Sequence, residues 1–347
     1  MPWASPQHSR AQVDRAGDTL ARRGTLPPNP ISAILDAFDI LSNWRSAHSF
    51  PLNTFQIGLR IRARNVHEHA LVAQRLKRVP SIVAKLHRFP SMSLSRMQDI
   101  GGCRAVVESV PQVRRLRDAY VASSMRHKLV SERDYIANPK ASGYRSHHLV
   151  YRYFSHRSPT YNGLLIEVQL RSRLQHAWAT AVETVGTFLD QALKSSQGPE
   201  QWLHFFTLAS SAFAMVEKTP PVPDTPLHHR ELIRALKHEA TQLRVFETLR
   251  AYGSALRFTE TKVPPDARFF LLRLELDSRT LTLQAFRIDE LLQATEQYLT
   301  IEKIQAETGG GQAVLVAADS LNALRRAYPN YFLDTQTFVE QLRRVLS

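Results

Sequence analysis

Residues 164–171 read Leu-Leu-Ile-Glu-Val-Gln-Leu-Arg, a stretch in which polar and apolar side chains alternate. Successive side chains of a β-strand point to opposite faces, so Glu167, Gln169 and Arg171 share one face and the intervening apolar residues share the other. The pattern predicts a strand over Leu164–Leu170 with one face in a core and one face carrying an acid, an amide and a guanidinium.

Further segments on the N-terminal side repeat this alternation, and helical spacing of apolar residues separates them. The other predicted strands are Ala70–Arg78, Cys103–Glu108 and His147–Phe154. The predicted helices between and after them are Ser81–Arg88, Val110–Met125 and Leu174–Leu193. Strands interleaved with helices predict an α+β fold, a mixed β-sheet with flanking helices.

Breaks in these patterns divide the chain into three parts. Residues 1–29 mix Pro, Arg, Ser and Gly without periodicity, which predicts a flexible basic arm. The main domain is expected over residues 30–218, up to the helix-stopping sequence Thr-Pro-Pro-Val-Pro at 219–223. Residues 225–347 predict a small C-terminal α/β domain with a hairpin of Arg268–Leu276 and Thr280–Phe286.

Charge and cysteine content restrict the class of protein. Lys and Arg total 45 against 31 Asp and Glu, a formal charge of +14, which favours a polyanionic partner such as nucleic acid, an acidic membrane surface or phosphorylated small molecules. The charge alone fits a merely soluble basic surface equally well. The single cysteine, Cys103, excludes an intramolecular disulfide and a cysteine zinc finger. No apolar leader or membrane span is evident, so we expect a cytoplasmic protein with no membrane contact.

Three polar segments have the composition of a phosphoryl-transfer site. They are QDIGGCR at 98–104, NPKASGYRSHH at 138–148 and EVQLR at 167–171. Phosphoryl transfer needs metal-binding acids and cations that neutralise phosphate charge, and these segments supply both. Taken singly, each segment fits a solvated strand end equally well.

Together the segments resemble the motifs of the RelA/SpoT synthetases, in the family's order. The matching stretches are RLKRVPSIVAK at 75–85, DIGGCR at 99–104, PKASGYRSHH at 139–148 and EVQLRS at 167–172, followed by HAW at 176–178. The resemblance covers roughly residues 45–195. It implies a pyrophosphokinase that moves the β,γ-diphosphate of ATP to a ribose 3′-hydroxyl with Mg²⁺. Too few residues precede position 30 for the hydrolase of long members, so we expect the small alarmone synthetase branch.

The resemblance also implies roles for individual residues. Asp99 and Glu167 correspond to the Mg²⁺ ligands, and Glu167 also to the general base. The residues that correspond to the ATP site are Arg75, Lys77, Ser81, Lys85 and Arg104, of which the arginines would sandwich adenine. Those that correspond to the acceptor site are Lys140, Tyr144, His148, Gln169 and Arg171.

The acceptor is open to alternatives. Ser142 replaces the asparagine that contacts guanine in guanine-using members, and a hydroxyl lacks the amide's separate donor and acceptor. Toxic small synthetases that resemble this chain modify the 3′ end of tRNA, and an arginine cluster would bind its phosphates. That cluster comprises Arg60, Arg62, Arg64, Arg114, Arg115 and Arg117. The alternatives are a GDP or GTP pyrophosphokinase that makes alarmones, and a catalytically inactive RNA-binding or phage-sensing module.

The tail resembles, more distantly, the antitoxin-like tail of the CapRel type of fused toxin and antitoxin. The shared element is Tyr328-Pro329-Asn330-Tyr331. The resemblance implies that Tyr328 and Tyr331 hold the tail over the ATP site until a phage protein binds the tail, a toxin–antitoxin device for antiviral defence. Spacing alone fits two tyrosines in the core of the tail equally well.

Overall fold

A computed structural model describes residues 3–22, 30–189, 199–254, 257–260, 263–275, 278, 280–308, 312–318, 320–332 and 334–347. Its helices are α1 Arg10–Leu20, α2 Pro30–Ala47, α3 Ser49–Val66, α4 Val79–Arg88, α5 Val110–Val121, α6 Arg173–Phe188, α7 Glu200–Glu217, α8 His229–Gln242, α9 Val245–Ser254, α10 Leu291–Thr308, α11 Leu321–Ala327 and α12 Gln336–Leu346. Its strands are β1 Leu71–Leu76, β2 Gly101–Val107, β3 Lys128–Asp134, β4 His147–Arg152, β5 Leu165–Ser172, β6 Arg257–Glu260, β7 Phe269–Glu275, β8 Thr280–Phe286 and β9 Gln312–Ala317.

The strands in the described residues form a nine-stranded mixed sheet in the order β3-β4-β5-β2-β1-β9-β7-β8-β6. β5 lies between β4 and β2, antiparallel to the first and parallel to the second. The predicted mixed sheet with flanking helices, its four N-terminal strands and the hairpin of β7 and β8 are therefore confirmed. Edge strand β3 was not predicted, because its sequence KLVSERD is mostly charged and partly exposed and lacks a clear apolar face.

The tail extends the sheet of the main domain. β9 pairs antiparallel with β1, with Gln74 opposite Ala317 and Arg75 opposite Val316. β9 pairs in turn with β7, so the hairpin of the tail continues the same sheet. As a result, β1 is an interior strand, and Arg75 lies at the junction of the two sheet halves.

Helices from the two sides of the predicted division at residues 219–223 also pack together. α8 and α12 of the tail pack on α6 and α7 in one apolar cluster that includes Trp178, Phe206, Leu236 and Phe338. Val222 in the proline-rich segment is 1% exposed, and its N–H donates to Ser211 Oγ at 2.9 Å. The connecting segment is thus packed against α7, and no gap in packing marks the division.

The prediction of a flexible arm is wrong for residues 10–20, which form helix α1. Ser9 caps the start of the helix in a reciprocal capping box with Gln12. The side chain of each residue accepts a hydrogen bond from the backbone N–H of the other. Val13 is fully buried in a cluster with Leu86 and Leu94. The apolar positions of α1 are few and lie among charged residues, so their periodicity was too weak to find. Residues 23–29 of the predicted arm lie outside the described residues. No helix in the described parts of the chain is long and apolar enough to cross a membrane.

If α1 is part of the folded core, Val13→Ala should lower the free energy of unfolding by about 2 kcal/mol, because two buried methyl groups are lost and a cavity remains. Arg15→Ala, on the exposed face of the same helix, is the control. Urea unfolding followed by circular dichroism gives the midpoint of both variants. Equal midpoints for Val13→Ala and wild type would show that α1 is not part of the folded core.

Candidate active site

A cavity of about 410 Å³ opens on one face of the sheet and brings together most of the residues predicted to act. β1 and β2 contribute arginines, α4 a lysine, and β4 and β5 the polar faces seen in the sequence. The predicted residues that line it are Arg75, Lys77, Lys85, Asp99, Arg104, Lys140, Tyr144, His148, Glu167, Gln169, Arg171 and Tyr328. The parallel pairing of β2 with β5 sets Gly102 opposite Glu167, which leaves open space above the strand beside that acid.

Asp99 forms the first acidic centre, just before β2. Its two carboxylate oxygens each accept a hydrogen bond of 2.9 Å, from Lys77 Nζ and from Lys85 Nζ. Burial alone would raise the pKa of Asp99, but the two ammonium groups outweigh burial and lower this pKa to about 2. Asp99 is therefore ionised, and both lysines are held within reach of any phosphate that binds beside it.

Glu167 forms the second acidic centre, in the middle of β5. His148 Nδ1 lies 2.8 Å from Glu167 Oε1, and Gln169 Nε2 donates to Glu167 Oε2 at 2.6 Å. Burial opposes ionisation, yet the neighbouring His148 lowers the pKa of Glu167 below its ordinary value. The Glu167 carboxylate is thus charged, partly buried and fixed in orientation.

A hydrogen-bonded chain continues from Glu167 to the acceptor side of the cavity. His148 Nε2 lies 2.8 Å from the Tyr144 hydroxyl, which also accepts a 2.7 Å bond from Arg171 Nη2. Burial would lower the pKa of His148, but Tyr144 and Glu167 raise it to about 9. The Tyr144 hydroxyl is therefore held from two sides, by His148 and by Arg171.

The two acids suit a magnesium ion. In the described parts of the chain, no group of three or more His, Cys, Asp or Glu side chains is arranged to hold a metal. Mg²⁺ is usually bound by one or two carboxylates and completes its octahedron with water and substrate phosphates. Asp99 and Glu167 line one cavity and are both ionised, so they fit a metal that the nucleotide would help to hold.

The two arginines predicted to sandwich adenine contact the tail instead. Arg104 Nη2 donates to the carbonyl of Ala327 at 2.6 Å, and its guanidinium lies 5.3 Å from the centre of the Tyr328 ring. Arg75 Nη1 donates to the Tyr331 hydroxyl at 3.4 Å. Burial, together with nearby Arg171, lowers the pKa of Arg104 to about 10. Tyr328 and Tyr331 are 3% and 2% exposed, so the contact surface excludes water.

The acceptor side contains an aromatic residue that the sequence analysis missed. Lys140 Nζ lies 4.5 Å from the centre of the Tyr135 ring and 5.2 Å from that of Tyr144, and the two rings meet edge to face at 6.0 Å. Tyr135 and Arg133 both line the cavity. Their position directly before the basic turn at 138–148 was the available signal.

The basic turn depends on Gly143, whose φ is +83°. A Cβ there would lie 2.9 Å from Ser210 Cβ and 3.0 Å from the ring of Trp178. A side chain would therefore be strained in conformation and in space at once. Trp178 is 3% exposed and supports this turn.

Two predicted residues lie outside the cavity wall. Ser81 is half-buried on the first turn of α4, one helical turn before Lys85, and does not line the cavity. The Ser142 hydroxyl is buried, has no hydrogen-bond partner in the described part of the molecule, and likewise does not face the cavity. The position of Ser142 therefore does not support a role for its hydroxyl in acceptor selection.

The arginine cluster predicted to bind tRNA is partly neutralised within the protein. Arg114 pairs with Asp134, and Arg117 makes a bidentate pair with Glu132 at 2.7 and 2.9 Å. Arg62 lies over the Tyr120 ring at 5.1 Å. Arg114 and Arg117 bind α5 to strand β3, and Arg62 packs α3 on α5, so these three guanidiniums are not free cations for a phosphate backbone.

Comparisons with known proteins agree with this geometry for part of the chain. Residues 74–185 match the model described as the region found in RelA / SpoT proteins. GTP pyrophosphokinase YjbM of Bacillus subtilis is 36% identical over 111 residues, which are 31% of this chain and 52% of that relative. The chain thus spans about half the length of this curated relative.

Solved structures are similar to about half of the chain. Small alarmone synthetase 1 from Bacillus subtilis, bound to its product pppGpp, is 27% identical and covers 48% of this chain and 88% of its own, with a TM-score of 0.42. Small alarmone synthetase 2 from the same organism is 21% identical and covers 51% and 93%, with a TM-score of 0.44.

Proposed function

We propose that this protein is an ATP-dependent pyrophosphokinase that transfers the β,γ-diphosphate of ATP to a ribose 3′-hydroxyl and releases AMP. The observation that carries the proposal is the pair of partly buried, ionised carboxylates of Asp99 and Glu167 in one cavity with Lys77 and Lys85, inside the segment that matches the RelA/SpoT region. Charge of both signs at one buried site is costly to build and suits the transfer of a highly charged group.

The residues of the cavity divide the work of transfer. Glu167, held by His148 and Gln169, accepts the proton of the 3′-hydroxyl as its oxygen attacks the β-phosphorus of ATP. The bond from the β-phosphorus to the oxygen that bridges to the α-phosphate breaks, and that oxygen leaves with AMP. Lys77 and Lys85 move from Asp99 to the phosphates and balance their charge. Mg²⁺ held by Asp99 and Glu167 would neutralise the phosphate oxygens when bound.

We expect Asp99→Asn and Glu167→Gln each to lower the transfer rate at least ~100-fold, because each removes a charge on which positioning or proton transfer depends. Asp118→Asn, the same change at an exposed acid on α5, is the control. Transfer from γ-labelled ATP and the melting temperature are measured together. A folded Glu167→Gln variant with wild-type turnover would refute the site.

The acceptor we propose first is the 3′ end of tRNA. The formal charge of +14 exceeds what two nucleotides would need, and RNA would account for it. The second candidate is GDP or GTP, which the name of the relative GTP pyrophosphokinase YjbM favours. The stacking residue Tyr144 suits either acceptor, because stacking tolerates different bases.

Incubation of the purified chain with γ-labelled ATP and, in separate reactions, deacylated tRNA, GDP and GTP distinguishes the candidates. We expect label on the 3′ end of tRNA. Label on GDP or GTP alone would contradict the tRNA acceptor and leave the reaction class intact. No label on any acceptor, with a folded protein, would favour a binding module without activity.

We also propose that the tail inhibits the enzyme in cis, as the antitoxin half of a toxin that arrests translation in antiviral defence. The support is that Tyr328, Ala327 and Tyr331 use the Arg104 and Arg75 groups that adenine would need. ATP and the docked tail then compete for the same guanidiniums. A phage protein that binds the displaced tail would shift this equilibrium toward the open enzyme.

If the tail is inhibitory, Tyr328→Ala/Tyr331→Ala should raise transfer and growth inhibition, since it weakens the closed state. A closed state favoured ~100-fold needs only ~2.7 kcal/mol of docking free energy. Tyr252→Ala, a tail tyrosine stacked on Phe188 away from both arginines, is the control for lost packing. Growth inhibition and melting temperature are measured in parallel. A stable double variant with less activity than wild type would contradict inhibition.

A further inference from the structure

One face of the β3–β4 pair runs from the catalytic cavity to the rim of the sheet. Arg133 lies opposite His148 and Ser131 opposite Val150, and all four residues line the cavity. After a bulge between Leu129 and Ser131, the next pair on this face is Lys128 opposite Arg152. Alternate residues of a strand share a face, so this pair continues the cavity wall outward.

The pair of Lys128 and Arg152 places two positive charges directly across a strand ladder. Like charges in this position destabilise a sheet. Both side chains are exposed, and neither forms an ion pair within the part of the chain that the structure describes. No Asp or Glu occurs between Tyr135 and Ile166, and the nearest acids of β3, Glu132 and Asp134, pair with Arg117 and Arg114 instead. A lysine on an edge strand commonly prevents pairing with another sheet, and this would explain Lys128 on β3. That role does not explain Arg152, because β4 is an interior strand.

An exposed aromatic side chain follows this pair. Phe154 is 40% exposed, and its ring meets the His156 ring edge to face at 4.9 Å. The N–H of Phe154 donates to His127 Nδ1 at 3.2 Å, and Asn162 closes the loop by two hydrogen bonds to the backbone of Ser155. The ring is therefore presented on a fixed loop rather than a loose one. Exposed aromatic rings beside cations are the elements that bind single-stranded nucleic acids.

We infer that Lys128, Arg152 and Phe154 form a track for the single-stranded 3′ end of an RNA whose terminal ribose reaches Glu167. This inference rests on the proposed function and defines which surface recognises its acceptor. Arg152 lies four residue steps beyond His148 along β4, a distance of roughly 13 Å at ~3.3 Å per residue. That distance equals about four stacked nucleotides at ~3.4 Å each. A mononucleotide in the cavity would not extend to the track, whereas an RNA end would.

The track lies at the sheet edge opposite the tail. The strand order places β3 at one end, and β9, β7, β8 and β6 join beyond β1 on the other side. The contacts of Tyr328 and Tyr331 with Arg104 and Arg75 therefore leave the track open. The full chain with its tail in place is the correct material for a binding experiment.

The test measures fluorescence anisotropy of a fluorescein-labelled single-stranded RNA oligonucleotide with a free 3′-hydroxyl, over a series of salt concentrations. Lys128→Glu and Arg152→Glu should each weaken binding at least ~10-fold and lower the slope of log affinity against log salt by about one phosphate contact. Phe154→Ala should weaken binding without a change of slope, because it removes stacking and no charge.

Each charge reversal creates an opposite-charge pair across the ladder, so the melting temperature should stay level or rise while RNA affinity falls. Damage to the fold would lower both the melting temperature and the RNA affinity. Lys237→Glu, at an exposed lysine on α8 of the tail, is the control for net charge and should leave binding near the wild-type value.

Three results would overturn the track: no RNA binding by the wild type, binding unaffected by all three track variants, or an equal loss in Lys237→Glu. Binding does not require catalysis. RNA that binds the track without accepting label from ATP would therefore refute the tRNA acceptor and leave the track standing. Label on tRNA with unchanged RNA affinity in the track variants would refute the track and leave the tRNA acceptor standing.

Discussion

The parallel pairing of β2 with β5 is the contact on which the rest of the molecule depends, because it brings Asp99 and Glu167 to one cavity. Two partly buried carboxylates in one cavity repel each other and lose hydration, so neither would remain charged without compensation. Lys77 and Lys85 supply it for Asp99, and His148 supplies it for Glu167. Lys85 lies on α4, Lys77 just before it and His148 on β4, so both elements must lie beside the two strands for the acids to stay charged.

Continuity of the sheet makes the tail part of this arrangement. β1 carries Arg75 and pairs on one side with β2 and on the other with β9 of the tail. Docking of the tail is therefore not confined to two tyrosines. Arg45 on α2, 1% exposed, also binds Glu302 of α10 at 2.6 Å, and Glu302 accepts the N–H of Val79 at the start of α4. A partner that displaces the tail would have to break strand pairing and a buried ion pair as well as aromatic contacts.

The excess of positive charge is distributed unevenly in a way that composition could not reveal. Arg114 and Arg117 are bound to Asp134 and Glu132, so much of the charge on α5 is internal to the fold. Lys128 and Arg152, unremarkable in the sequence, become significant only when strand pairing sets them opposite each other. Net charge indicates a polyanionic partner, whereas the register of a sheet decides which cations face it.

The sequence by itself determined the local elements with strong periodicity and the chemistry of the site. Glu167, Gln169 and Arg171 share a face because strand periodicity is two, and this holds wherever the strand lies. Weakly periodic elements escaped detection: α1 has few apolar positions, and the edge strand β3 is mostly charged. Only the tertiary structure decided that Tyr328 meets Arg104, that Ser81 and Ser142 lie outside the cavity, and that the tail joins the main sheet. Those contacts link residues more than two hundred positions apart or depend on the packing of neighbours, and local side-chain patterns carry no information about either.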